Sequence, residues 1–365
     1  MKPEKIAYVI NSVEGGGAAL PVPAVTRVLR DAGAEVRVFA LTRRDGRALP
    51  PMVEAGLDPL VRDGGETDHL AAARWLMRET TAWRATHLWT SLSRATILGL
   101  VMGPRMGLPV IAWQHAAFLK PWNRRLMRML QARAAVWVAD SQSVALLTQA
   151  RLKVPADRLK IWPIYFADPQ MPMASAWTQG QTLNLGSLGR LHPVKGYDVL
   201  IAAMARLRAS GFTAPAPVQI TLAGDGAEGE RLLAQARDAG VTNLHLAGYC
   251  DDPRAFLASQ HLYLQPSRSE GFCIAAHEAL TAGLPVIASR VGELAHSVRP
   301  ESTGWLVPPG DAEALAKTLR DALADPAALA AMGTAARADM FDRFSKTRFD
   351  AAGQAIWQHI HPASA

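Results

Sequence analysis

Short apolar runs rich in β-branched residues alternate with longer stretches of helical periodicity along almost the whole chain. In the first half the runs are "IAYVI", "EVRVFAL", "HLWTS", "PVIAW" and "AVWVAD"; in the second they are "LNLGSLG", "VQITLAG", "LHLAG", "LYLQPS" and "PVIAS". Each run is bounded by turn residues and is nearly continuous in apolar character. A strand that is apolar on both faces belongs inside a parallel sheet covered by helices on both sides. Residues 167–181, "ADPQMPMASAWTQGQ", lack periodicity, carry prolines and read as an interdomain linker. The expectation is an α/β protein of two Rossmann-like doubly wound domains, 1–166 and 181–343, facing across a cleft. A final helical stretch within 344–365 is expected to pack back on the first domain. In such sheets ligands bind beyond the carboxyl ends of the strands, where helix N-termini converge.

Charge sharpens this picture. The net charge is +7, but residues 1–180 hold 23 Lys/Arg against 14 Asp/Glu, and residues 181–365 hold 16 against 18. A basic half beside a near-neutral half implies an anionic partner: nucleic acid, an acidic membrane surface or a phosphorylated substrate. Arginines scattered over helices without interleaved base-stacking aromatics argue against nucleic-acid readout. Cys250 and Cys273 are the only cysteines, which excludes a disulfide framework and favours a reducing cytosol. The first apolar run is too short for a signal-peptide core, and no stretch approaches 18 uninterrupted apolar residues.

Four clusters at strand ends of the second half carry candidate chemistry. "GRLHPVKG", 189–196, sets Arg190 and Lys195 on one loop before a helix, two cations suited to a diphosphate. "GDG", 224–226, lets backbone approach a ligand at Gly224, although a plain strand-to-helix turn explains it equally well. In "LAGYCDDP", 246–253, Asp251 or Asp252 caps a helix rather than holding a metal; no Asp-x-Asp triplet occurs anywhere. "PSRSEGFCIAAHEALTAGLPVIAS", 266–289, opens as a loop with Glu270 at its mouth and places Glu278 inside the following helix. The amides near Gly271, Phe272 and Cys273 are expected at that helix's N-terminus. A carboxylate accepts paired hydrogen bonds from a vicinal diol. Two carboxylates about 12 Å apart along a helix, at about 1.5 Å rise per residue, suit two sugar rings of one molecule.

In order and spacing these clusters, with "AGLPVIAS" and "STGWLVPPGD", resemble the donor half of the retaining glycosyltransferases of family 4, which have the two-Rossmann GT-B fold. The first half matches more loosely, through "GGGA", "PVIAWQH" and "AVWVADSQSVALL". The resemblance implies that Arg190 and Lys195 bind the diphosphate of a nucleotide-sugar donor, that Glu278 holds the ribose and that Glu270 holds the transferred sugar. It implies that the amides of Gly271, Phe272 and Cys273 line the sugar and phosphate site. Gly16 and Gly17 would approach the phosphate, and His115 would sit over the reacting sugar. The chain departs from the family at Cys273, where members usually have Gly, and at "WPIYFADP", where they have Asn-Gly.

The implied reaction moves a sugar from a nucleoside diphosphate to an acceptor hydroxyl with retention, needing no metal or other cofactor. The basic first half and the helix described next make the expected acceptor a lipid-linked or envelope glycan, in lipopolysaccharide, exopolysaccharide or glycolipid synthesis. A nucleotide-sugar 2-epimerase on the same fold and a non-catalytic sugar-nucleotide binder are the alternatives. "FLKPWNRRLMRMLQAR", 118–133, reads as a basic amphipathic helix beginning near Pro121, with Trp122, Leu126, Met129 and Leu130 on one face. Lys120, Arg124, Arg125, Arg128 and Arg133 fill the remainder, so the helix suits an anionic membrane surface on the cytoplasmic side.

Overall fold

Seven parallel strands make the first sheet: β1 (Lys5–Ser12), β2 (Glu35–Thr42), β3 (Leu60–Val61), β4 (His87–Ser91), β5 (Val110–Gln114), β6 (Val136–Ala139) and β7 (Leu159–Ile161). Their order is β3-β2-β1-β4-β5-β6-β7. Six more, β8 (Leu183–Leu188), β9 (Val218–Ala223), β10 (Leu244–Gly248), β11 (Leu262–Gln265), β12 (Val286–Ser289) and β13 (Gly304–Val307), form a second sheet ordered β10-β9-β8-β11-β12-β13. Both are doubly wound, with the strand order reversing between β1 and β4 and again between β8 and β11. The computed structural model describes residues 3–115 and 119–361. Its two units are the residues up to Tyr165 together with those from Thr347 onward, and Phe166–Lys346.

β4, β5 and β6 are buried at every position, which is why their sequences show no polar alternation. Trp89, Trp113, Trp137 and Trp162 are fully buried in the first unit. Trp113 and Trp162 stack at 4.9 Å, and the edge of Trp89 meets both rings at 5.9 Å. Such pairs contribute about 0.5–1.5 kcal/mol each beyond their buried area. The helix Lys346–Ile360 completes this core: Phe349 packs on Trp162 at 5.3 Å, Trp357 meets His87 at 5.4 Å, and Asp350 pairs with Arg27.

Residues 167–181, expected as a linker, contain no helix or strand, yet they are fastened to the second unit. The amides of Ala167, Ala174 and Ser175 donate to the carbonyls of Phe344, Ala282 and Ala258, and Asp168 pairs with Arg254. The sequence shows missing periodicity there but not these backbone hydrogen bonds. The basic helix runs Pro121–Leu130; Phe118, the start of the predicted segment, lies outside the described residues. It is anchored through buried Met127, so the stripe read from the sequence is rotated off the packed face, and Trp122 (66%) and Met129 (72%) are exposed. No helix among the described residues is long and apolar enough to cross a membrane.

Candidate active site

In the second unit, the loops after β8 and β11 meet beside the point where the strand order reverses. After β8 the chain makes a short turn, Pro193–Lys195, and the helix Tyr197–Ala209 follows at once. Gly196 joins turn to helix at φ 69°; a Cβ there would stand 2.0 Å from the Pro266 carbonyl oxygen, so only glycine lets the two loops touch. A Cβ on Gly292, in the loop after β12, would likewise meet the Glu270 carbonyl oxygen at 2.4 Å.

These contacts hold Lys195 against Glu270, with Nζ 2.8 Å from Oε1 and the side chains 19% and 11% exposed. The same oxygen accepts from Ser267 Oγ at 2.6 Å and from Gln265 Nε2 at 3.2 Å. Beneath them Tyr263 OH donates to Gln265 Oε1 at 3.1 Å and accepts from the Leu188 amide at 3.0 Å. Ser267, Gln265 and Tyr263 are fully buried. Burial works against the Lys195 charge, but the Glu270 carboxylate overcomes it and holds the ammonium above its ordinary range. Arg190 is exposed on the same loop and has no side-chain partner among the described residues.

Glu270 is on the loop, and Glu278 is inside the helix Ile274–Thr281. Cys273 caps that helix at φ 67°, ψ 69°, and burial pushes its thiol up. The amides of Gly271 and Cys273 donate to no group among the described residues, as expected ahead of a helix's first turn. The Phe272 side chain turns inward: it is buried, stacks on His277 at 4.0 Å and meets Phe344 edge-on. His277 is neutral, its Nδ1 donating to the Cys273 carbonyl at 2.9 Å and its Nε2 accepting from Ser297 at 2.8 Å; burial lowers its pKa to about 4. Half-buried Glu278 has no hydrogen-bonding partner among the described residues, and burial raises its pKa to about 7 against the opposing pull of Arg254. Gly224 follows β9 and donates its amide to the Gly248 carbonyl at 2.6 Å. Asp252 caps the helix Pro253–Ala258 through the Ala255 amide.

In the first unit, Gly16 and Gly17 lie in the turn between β1 and the helix Val22–Asp31, with the Gly16 carbonyl accepting from Ala19 and Leu20. His115 follows β5. Its Nε2 is 2.7 Å from Ser91 Oγ, and its Nδ1 is 2.9 and 3.0 Å from the two oxygens of Asp140. Among the described residues no three His, Cys, Asp or Glu side chains converge as metal ligands.

Comparison with known proteins places this arrangement in a family. The family model "Glycosyltransferase Family 4" matches residues 15–164 and "Glycosyl transferases group 1" matches residues 178–339. The chain belongs to the group 1 and family 4 glycosyltransferases. A D-inositol 3-phosphate glycosyltransferase of Acidothermus cellulolyticus is 27% identical over 80% of this chain and 75% of its own length. The lipopolysaccharide core biosynthesis glycosyltransferase LpsE of Rhizobium meliloti is 34% identical over 38% of this chain and 39% of its own. Among solved structures, Anabaena HepE in complex with UDP and glucose superposes with a TM-score of 0.82 at 21% identity, covering 99% of this chain and all of that one. WaaG, a glycosyltransferase involved in lipopolysaccharide biosynthesis, superposes with a TM-score of 0.73 at 19% identity over 98% of this chain.

In this glycosyltransferase Arg190, Lys195, Glu270 and the amides of Gly271 and Cys273 share one region of the second unit, and Glu278 follows on the adjoining helix. His115, Gly16 and Gly17 belong to the first unit. Sequence reasoning missed the buried Tyr263–Gln265–Ser267 chain under Glu270, and Ser91 and Asp140 around His115. A signal exists: the apolar runs of β4, β6 and β11 end in Ser91, Asp140 and Gln265, polar residues at the ligand-facing end of buried strands.

Proposed function

We propose that the protein is a retaining hexosyltransferase that moves a sugar from a nucleoside-diphosphate sugar to an acceptor hydroxyl on a lipid-linked or envelope glycan. The observation that carries this reading is the pairing of Lys195 with Glu270 at the reversal point of the second sheet, with half-buried Glu278 about one turn into the helix that follows the Glu270 loop. Arg190 and Lys195 take the diphosphate, Glu270 the transferred sugar, and Glu278 the ribose. The backbone at Gly224, Gly271, Phe272 and Cys273 lines the phosphate and sugar. By the same family resemblance, Gly16, Gly17 and His115 are assigned to the phosphate and the reacting sugar.

In this chemistry the bond from the anomeric carbon to the phosphate oxygen breaks while a bond to the acceptor oxygen forms on the same face. The acceptor proton leaves on the departing diphosphate. Negative charge grows on that diphosphate in the transition state. Fixed cations and helix N-termini stabilise it more there than in the ground state, which lowers the barrier. Lys195 makes this differential: in the free protein it is neutralised by Glu270, and a diphosphate competes for it. No metal is assigned to the reaction, since Arg190, Lys195 and amide dipoles serve the diphosphate.

The HepE structure, solved in complex with UDP and glucose, supports a nucleotide-sugar donor, and uridine diphosphate sugars are the first to test. Exposed Trp122 and Met129 beside exposed Arg124, Arg125 and Arg128 support a peripheral position on an anionic membrane surface at its cytoplasmic face. The test measures nucleoside diphosphate released from a panel of nucleotide sugars, with and without a lipid extract, and the anomeric configuration of the product. Glu270→Gln and Lys195→Ala are each expected to lower transfer on the order of 100-fold. Near-normal turnover by either variant refutes the donor-site assignment; inverted product refutes retention.

A further inference from the structure

Ser91 is the last residue of β4, His115 follows β5 and Asp140 follows β6, so three adjacent strands end in three polar side chains that bond to one another. The side chains of His115 and Asp140 are 7% and 3% exposed, and Ser91 is fully buried. The roles within this trio follow from the inventory of protons. A carboxylate accepts only, so His115 Nδ1–H donates to Asp140, and Trp113 Nε1–H donates to the same carboxylate at 2.6 Å. A neutral imidazole then has Nε2 as its acceptor, which takes the O–H of Ser91 at 2.7 Å. Were the ring protonated, Nε2–H would donate to Ser91 instead. In both forms both nitrogens are occupied. The ring is further clamped by stacking on Trp113, at 5.3 Å and 27°.

A second observation bears on the same place. Leu92, directly after Ser91, has φ 73° and ψ 158°, a region almost confined to glycine that costs a side-chain-bearing residue about 1–3 kcal/mol. The strand-to-helix turn thus holds Ser91 in a strained frame. Three buried polar groups are also an expensive way to join strand ends, since apolar side chains do so without desolvation. What the polar trio adds over an apolar one is orientation.

We propose that Ser91 and Asp140 are positioning residues that lock His115 in one tautomer and one orientation, so that His115 serves sugar transfer as a fixed ring and not as a proton carrier. This rests on the reading that His115 meets the reacting sugar. A hydrogen-bonded Nε2 can still take a proton, but only from Ser91, whose hydroxyl is fully buried, so the acceptor proton has no direct path to the ring and stays with the departing phosphate.

The test uses the full chain labelled with ¹⁵N-histidine, His115 being assigned by the signal lost in His115→Gln. The wild type is expected to show the Nδ1–H tautomer alone. In Asp140→Asn the side-chain amide is a competing donor, and the ring is expected to shift to the Nε2–H form or a mixture. Its kcat is expected to fall about 30-fold with the donor KM nearly unchanged, because misplacement rather than lost binding is the defect. Ser91→Ala is expected to keep the Nδ1–H tautomer, broaden the ring signals and lower kcat about fivefold, and it serves where Asp140→Asn does not fold. A wild-type Nε2–H signal, an unchanged tautomer in Asp140→Asn, or unchanged kcat in both variants overturns the proposal. A wild type that transfers from no nucleotide sugar refutes the function, and the tautomer lock then stands or falls on the NMR signal alone.

Discussion

Replacing Glu278 by Gln tests the electrostatics of the candidate donor site without touching its loops. Glu278 titrates near 4.5 when unburied and at about 7 in the fold, with burial as the first cause. The folded state therefore retains a proton that the unfolded chain has already released, so this residue makes stability fall as pH rises from about 4.5 through about 7. The full shift corresponds to about 3 kcal/mol, at about 1.4 kcal/mol per unit. Solvent access to a half-buried carboxyl reduces the realised figure to about 1–2 kcal/mol. His277, with its pKa lowered to about 4, acts with the opposite sign over an overlapping range, so only the difference between variant and wild type isolates Glu278. Urea titrations at intervals from pH 5 to 8.5 should show Glu278→Gln gaining on the wild type as pH rises, with a plateau above about pH 7.5. In melting temperature the gain amounts to about 2–4 °C per kcal/mol for a unit of this size. Parallel stability curves over the whole range would falsify the assignment of Glu278 as a carboxyl kept from water. In the proposed function the same variant also binds nucleoside diphosphate about tenfold more weakly at pH 8, because a neutral amide replaces the carboxylate facing the ribose diol.

Gly196→Ala forces a Cβ against the Pro266 carbonyl, so chemical denaturation should show a loss of more than about 2 kcal/mol together with loss of nucleotide binding. Cys273→Val sets a β-branched side chain at φ 67° and should lower stability by about 2 kcal/mol, whereas Cys273→Gly should stay within about 1 kcal/mol of wild type; equal effects refute strain at this cap. Liposome flotation should show binding to anionic vesicles that falls with salt and is abolished when Arg124, Arg125 and Arg128 become Glu; no binding at low salt ends the membrane proposal. Transfer should persist in excess chelator, and activity restored only by added Mg²⁺ or Mn²⁺ would contradict the assignment of the diphosphate to Arg190 and Lys195.

The ten strands expected from apolar runs are present: full burial leaves a readable imprint on composition in β4, β5, β6, β11 and β12, whereas β10 at its sheet edge has no buried residue and was read from Leu244 and Leu246. β3, β7 and β13 were not read as strands: all three lie at sheet edges, β3 and β7 span only two and three residues, and β13 is only half-buried at Trp305 and Leu306. Glu270, Arg190 and Lys195 were legible as residues, since loops after buried strands carry charged side chains, and Glu278 by its spacing from Glu270 in the helix that follows. Their pairing was not. Lys195 and Glu270 are 75 positions apart, and their bond depends on two glycines that let the loops touch. Ser91 and Asp140 were hidden for the same reason, each an ordinary polar strand end until the strand order places it beside His115. The inward turn of Phe272 depends on the ring stack with His277 and Phe344, which no local pattern encodes. On the basic helix, the stripe read by period included residues that remain exposed, because one deeply buried side chain, Met127, sets the packed face.

The crossing of the chain from one unit to the other and back has a consequence for the order of assembly. Trp162 is covered by Phe349, and Arg27 finds Asp350 some 323 positions later. A ribosome adding about 5–20 residues per second needs roughly 10–35 s to make the stretch from Phe166 to Lys346. For that interval the first unit has its seven strands but lacks the helix that closes its tryptophan core, while every residue of the second unit is being completed. The portion synthesised first is thus the last to finish folding. Apolar surface around Trp162 is open to chaperones, or to another nascent chain, until Phe349 and Trp357 emerge.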